Sequence, residues 1–144
     1  MKNIFSARLA GNLIILLLSL TVVFHLLIIT GIIPYQIVWG GRLKDRTQML
    51  NFETISIVVN LFMLLIVCIK MQLIRLQLPT VFIKSILLVM AALFLINTVG
   101  NLLSVNQFER LVFTPLTILL CLFCVLLAFS DIRSTKPSPT AENH

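Results

Sequence analysis

"LIILLLSLTVVFHLLIITGII", Leu13–Ile33, decides the fold class, because it holds no Asp, Glu, Lys or Arg. Roughly 20 apolar residues cross about 30 Å of hydrocarbon as an α-helix. A signal-peptide core is shorter, about 7–15 residues, and ends at a small-residue cleavage site. No A-x-A site follows this run, so it reads as a retained first membrane helix. Working outward, three more runs appear. They are Ile55–Ile69, extended by Glu53 and Thr54 before it and by Lys70 to Ile74 after it, then Val81–Leu103 and Leu111–Phe129.

Composition agrees. Of 144 residues, 59% are hydrophobic and 11% charged, and mean hydropathy is +1.08. A soluble domain carries about 25% charged residues. The expectation is an all-α polytopic membrane protein, a four-transmembrane-helix bundle in a single domain over residues 1–130. Its helices are expected near 9–33, 53–74, 80–104 and 108–129. The stretch 131–144, containing "STKPSPTAENH", is polar and rich in Pro, Ser and Thr, and reads as a disordered cytoplasmic tail.

The net charge of +6 does not point to nucleic acid, because the basic residues sit between apolar runs. There they set topology and meet anionic headgroups of the bilayer. One side holds Lys2, Arg8, Lys70, Arg75, Lys84, Arg133 and Lys136; the other holds Arg42, Lys44, Arg46 and Arg110. The positive-inside rule puts both termini in the cytoplasm and the loop "PYQIVWGGRLKDR", Pro34–Arg46, outside.

Polar residues within the helices fall on single faces. His25 lies four after Thr21; Glu53, Ser56 and Asn60 are spaced three and four; Asn97 and Asn101 are four apart; Thr114, Thr117, Cys121 and Cys124 are spaced three, four and three. In the topology above, nearly all lie in the outer half, whereas the inner halves read "LIILLLSL", "LFMLLIVCI", "ILLVMAALFLI" and "LFCVLLAF". Polar groups in lipid turn toward the bundle interior. The sequence therefore predicts a polar pocket in the outer half with an apolar floor. Its expected lining and roof are His25, Tyr35, Trp39, Arg42, Glu53, Asn60, Asn97 and Asn101.

Structural readings stand beside each of these. Asn97, Asn101, Thr114 and Thr117 also suit interhelical hydrogen bonding. Gly100-x-x-x-Ser104 reads as a close helix contact. Asn51 reads as an N-cap, with Glu53 serving the helix start, and Asn106-x-x-Glu109 reads as a variant capping box. Arg42 is expected to hold an anionic headgroup or to pair with Glu53 or Glu109. Pro34 is expected to end helix one, Tyr35 and Trp39 to suit the interfacial belt, and Gly40–Gly41 to permit a sharp turn. Pro115 predicts a kink in helix four, since it clashes with the carbonyl of Leu111.

No P-loop, Rossmann glycine pattern, H-E-x-x-H or zinc-type spacing occurs, and no metal or cofactor is expected. Cys121-Leu-Phe-Cys124 has the C-x-x-C form of the four-helix thiol oxidoreductases of the vitamin K epoxide reductase type. Those proteins carry a second, loop-borne pair, and the only other cysteine here is Cys68 in helix two. The pair also lies inside helix four, away from a helix start that would stabilise a thiolate, and it reads as packing.

The runs "GIIPYQIVWGGRLK", "FETISIVVN" and "NTVGNLLS" resemble small four-helix bacterial integral membrane proteins of uncharacterised function. That resemblance spans residues 20 to about 130 and implies the fold and the bacterial inner membrane, with no activity. More loosely, a carboxylate-bearing pocket among four helices is similar to the sterol-isomerase and sigma-2-receptor type, an analogy at the level of fold. Three functions follow from the residues. The first is binding of a small amphipathic or lipid-like molecule. The second is acid/base chemistry by His25 and Glu53, an isomerisation or hydrolysis, which requires the two within one hydrogen bond or one water of the reacting group. The third is an accessory subunit docking another membrane protein, or a homodimer.

Overall fold

The computed structural model describes residues 2–132. Four helices are long and apolar enough to cross a membrane, and no strand occurs among the described residues. They are α1 (Lys2–Ile29), α2 (Arg46–Lys70), α3 (Thr80–Leu102) and α4 (Thr114–Phe129), the last preceded by a π turn over Glu109–Phe113. The all-α four-helix bundle is thus as expected. The expected tail lies outside the described residues apart from Asp131 and Ile132.

Several boundaries differ from the sequence reading, each for a local reason. Helix α1 stops at Ile29, before Pro34: Gly31 takes φ +80, and the Ile33 N–H reaches back to the Leu27 carbonyl at 3.1 Å. A left-handed glycine past the last turn is a common helix stop. Helix α2 starts at Arg46, well before residue 53, because Asp45 is the N-cap and its carboxylate accepts from the Gln48 N–H at 2.7 Å. Asn51 and Glu53 are therefore interior helical positions, and the capping reading of both is wrong.

Pro115 acts at the start of α4. It has no N–H to give Leu111, so the ladder widens just before it, and the Thr114 N–H bonds five residues back to the Glu109 carbonyl. The wide turn holds Glu109 on the buried side, 7% exposed.

Helix α1 packs on α2 and on α4, and α3 packs on α4, while α2 and α3 make only sparse contact. The helices α2 and α3 thus stand apart at the loop end, while at the other end both contribute side chains to one core. One large apolar cluster fills the end away from the Pro34–Arg46 loop; Ile14, Leu18, Val67, Leu87, Cys124 and Leu127 belong to it. Polar ties close that end: Lys70 Nζ donates to the Ser130 carbonyl at 2.8 Å, and Lys84 Nζ sits 4.2 Å above the Phe129 ring. Gly11 is the close approach there, since a Cβ on it would lie 2.1 Å from Met71 Sδ. A second, small cluster of Ile28, Val38, Leu43 and Met49 lies under the loop. The space between the two clusters positions the site.

Candidate functional site

Glu53 is fully buried, and both its oxygens are bonded from other elements. His25 Nδ1, from the last turns of α1, lies 2.5 Å from Oε2; Trp39 Nε1, from the loop, donates to Oε1 at 2.7 Å. A buried carboxylate is tolerated only where such partners offset its desolvation. With the proton on Nδ1, the imidazole presents Nε2 as an acceptor, and Nε2 has no protein partner among the described residues.

Glu109 forms a second buried anchor. Its Oε2 accepts from the Gly40 N–H at 2.9 Å and from Ser104 Oγ at 2.5 Å. Ser104 Oγ in turn accepts from the Asn106 N–H at 3.0 Å, and Asn106 Nδ2 donates to the Ile37 carbonyl. The capping box is half present: Asn106 Oδ1 accepts from the Phe108 N–H at 2.9 Å and caps the helix start, whereas Glu109 reaches over to the first loop and not back to Asn106. The expected Arg42 pairing is absent: no Arg42 ion pair occurs among the described residues, Glu53 gives both oxygens to His25 and Trp39, and Glu109 gives Oε2 to Gly40 and Ser104.

The loop between these anchors is strained. Trp39, Gly40 and Gly41 take consecutive positive φ angles of 55, 65 and 69 degrees. Glycine does so freely, whereas a left-handed Trp costs about 1–2 kcal/mol. The bond to Glu53 and edge contact with the Phe52 ring, centroids 5.1 Å apart, hold Trp39 there. The same turn brings Arg42 Nε back to within 3.4 Å of a notional Cβ on Gly40, folding the guanidinium over the bundle.

Beneath the loop lies a cavity of about 500 Å³. His25, Trp39, Arg42, Asn60, Asn97 and Asn101 line it, as expected from the sequence, and Phe94, Phe113 and Leu120 are among its apolar wall. Glu53 stands behind His25 and Trp39 and is not itself in the lining. Tyr35 is not in the lining either; it is half-buried against the small cluster under the loop. Asn60 spends its amide on the Ser56 carbonyl, 2.8 Å away in its own helix. Thr117 fulfils the interhelical reading, accepting from Thr98 at 2.8 Å, while buried Thr114 Oγ1 has no hydrogen-bond partner. The carboxamides of Asn97 and Asn101 make no hydrogen bond among the described residues.

Ser104, Glu109 and the Gly40 N–H are absent from the sequence-derived site. A carboxylate and a serine at the mouth of two apolar runs were the available signal; a backbone N–H has none. Cys121 and Cys124 are free thiols, and Cys124 is fully buried in the large apolar cluster, as the packing reading expects. No cluster of His, Cys, Asp or Glu fit to hold a metal occurs among the described residues.

No protein-family model matches the chain, and no curated protein or solved structure does.

Proposed function

We propose that the chain is a multi-pass membrane protein that binds a small amphipathic, lipid-like molecule in the cavity beneath the latched Pro34–Arg46 loop. The observation that carries this is a space of about 500 Å³ with unpartnered Asn97 and Asn101 and the free His25 Nε2 toward the loop, and with apolar wall deeper in. That volume lies in the range of small-molecule sites, which combine mostly apolar walls with few placed polar groups. The charge asymmetry supports an orientation with both termini cytoplasmic and the loop outside, and the bacterial inner membrane is what the resemblance to small four-helix bacterial membrane proteins implies. The test is native mass spectrometry of the full chain extracted in mild detergent. A retained amphiphile, released on unfolding and lost in His25→Ala and Asn101→Ala, is the expected result. An empty protein whose stability no added lipid or variant alters overturns the reading.

One observation favours a second reading, acid/base catalysis. His25 and Glu53 stand 2.5 Å apart, so the carboxylate orients the imidazole and leaves Nε2 facing the cavity to take a proton from a bound molecule. His25→Gln keeps a hydrogen-bonding side chain but cannot shuttle a proton. If the wild type and this variant retain the same compound, catalysis is excluded. Accumulation of a different, unconverted compound in the variant supports it.

A further inference from the structure

The cavity is not closed sideways. Where α2 and α3 stand apart, its wall is made by Ile55 and Val59 on one side and by Ile96 and Gly100 on the other. Ile55 and Ile96 are 64% and 65% exposed, and a Cβ on Gly100 would meet nothing within 4 Å. The expected close helix contact at Gly100-x-x-x-Ser104 is therefore absent, and Gly100 borders an opening. These positions lie within spans, so the opening faces hydrocarbon and not water.

The chemistry along the opening is graded. At the loop end stands Arg42, a cation with no ion-pair partner among the described residues; of the two nearby carboxylates, Glu53 is bonded through both oxygens to His25 and Trp39 and lies outside the lining, while Glu109, in the lining, is bonded through Oε2 to Gly40 and Ser104. One step deeper are Asn101 and then Asn97, about 6 Å apart along α3 at 1.5 Å per residue, both with free carboxamides. Deeper still the wall is mainly apolar, with Phe94, Met63 and Leu120; the polar groups at that depth include Asn60, whose amide is spent on the Ser56 carbonyl, and Thr117, whose hydroxyl is bonded to Thr98. Unpartnered carboxamides facing hydrocarbon are costly, and N–H donors at that depth match ester carbonyls. A cation, then amide donors, then apolar wall is the complement of an anionic glycerophospholipid read from phosphate to glycerol esters to acyl chains.

We infer that the cavity takes an anionic glycerophospholipid, which slides in sideways from the loop-side leaflet between α2 and α3. Arg42 holds the phosphate, Asn101 and Asn97 meet the esters, and one acyl chain fills the cavity. This rests on the binding reading above and specifies its ligand and route.

The chain's single tryptophan, Trp39, lines the cavity and reports on it. The full chain is placed in vesicles of phosphatidylcholine with a minor, fixed fraction of phosphatidylglycerol, and bromine is carried on the acyl chains of one lipid or the other. Bromine quenches tryptophan only at short range. Engagement of one cation corresponds to about a fivefold preference for the anionic lipid. That preference is expected to vanish in Arg42→Gln and to persist in Lys44→Gln, since Lys44 is exposed outside the lining. Gly100→Phe, at a position where a Cβ meets nothing within 4 Å, sets a ring at the opening and is expected to reduce quenching to an equal, background level for both lipids. Equal quenching by both lipids in the wild type overturns the inference. So does equal loss in the Arg42 and Lys44 variants, which marks diffuse surface attraction. Unchanged quenching in Gly100→Phe overturns the lateral route, and a shift from dimer to monomer in that variant shows that a second copy covers the opening. Should the retained molecule of the mass spectrometric test be neutral, this inference falls while the binding reading stands.

Discussion

Consider Glu53→Ala and Trp39→Phe, singly and together. Glu53 accepts from His25 at 2.5 Å and from Trp39 at 2.7 Å while fully buried. Hydrogen bonds to charged groups contribute about 1.5–3 kcal/mol each, so the pair contributes about 3–6 kcal/mol before solvent competition. His25 is 12% exposed and Trp39 39% exposed, so both donors can turn to water when the carboxylate is lost. That discounts the loss in Glu53→Ala to about 2–4 kcal/mol. Against the latch stands the left-handed Trp39, at about 1–2 kcal/mol. Only the Trp39–Glu53 bond, about 1.5–3 kcal/mol, holds Trp39 against that strain; it exceeds the strain, so Trp39 stays in place in the wild type and is released when either partner is removed, while the Gly40–Glu109 bond still ties the loop. Unfolding in mixed micelles, followed by far-UV circular dichroism, reads the stabilities. The double-mutant cycle isolates the Trp39–Glu53 bond from the cavity and solvation terms that each single change introduces, and a coupling of about 1.5–3 kcal/mol is expected. In Glu53→Ala the Trp39 emission should also move to the red, with greater access to acrylamide. A coupling below about 0.3 kcal/mol, the scatter of independent sites, together with unchanged Trp39 emission, would refute the latch.

Other outcomes follow from the same contacts. Glu109→Ala removes the acceptor of the Gly40 N–H, so hydrogen exchange at Gly40 should quicken while exchange in the α1 and α2 cores does not. Gly100→Ala should be neutral or stabilise by up to about 1 kcal/mol, the helix-propensity difference, because nothing stands in its way. Gly11→Ala instead meets the Met71 thioether and should lower thermal stability, with Met71→Ala restoring part of the loss in the double variant. Cys121→Ser with Cys124→Ser should leave ligand retention unchanged, because both thiols sit at or in the far apolar cluster; loss of retention would reopen the redox reading. A reporter fused after residue 144 should be active only in the cytoplasm, and activity only on the far side would reverse the assigned topology.

The four spans and the gathering of polar residues toward one end were legible because both depend on local quantities. Hydropathy over about 20 residues sets a span, and residue spacing sets a face. Helix ends were less legible. Gly31 and Asp45 stop and start helices through a backbone angle and a single capping bond, and Pro34 and Asn51 were equally plausible on composition. The lining was mostly foreseen from polarity and depth, with Tyr35 and Glu53 the exceptions: an aromatic ring near a cavity and one beneath a loop share the same sequence pattern, and so do a carboxylate in a cavity wall and one bonded behind it.

By itself the sequence determined that the chain is a bundle of membrane helices, that its polar groups cluster beside the Pro34–Arg46 loop, and that its other half is apolar. Only the tertiary structure decided how those groups are spent. It turned Glu53 and Glu109 from helix-end residues into anchors for Trp39 and Gly40, and it parted α2 from α3 at Gly100 where spacing alone suggested close contact. The reason is physical. Hydropathy and periodicity report each helix's preference for lipid or protein, whereas the pairing of a buried carboxylate depends on partners 28 and 69 residues away. Those partners are chosen by how the helices pack, and no local pattern encodes that choice.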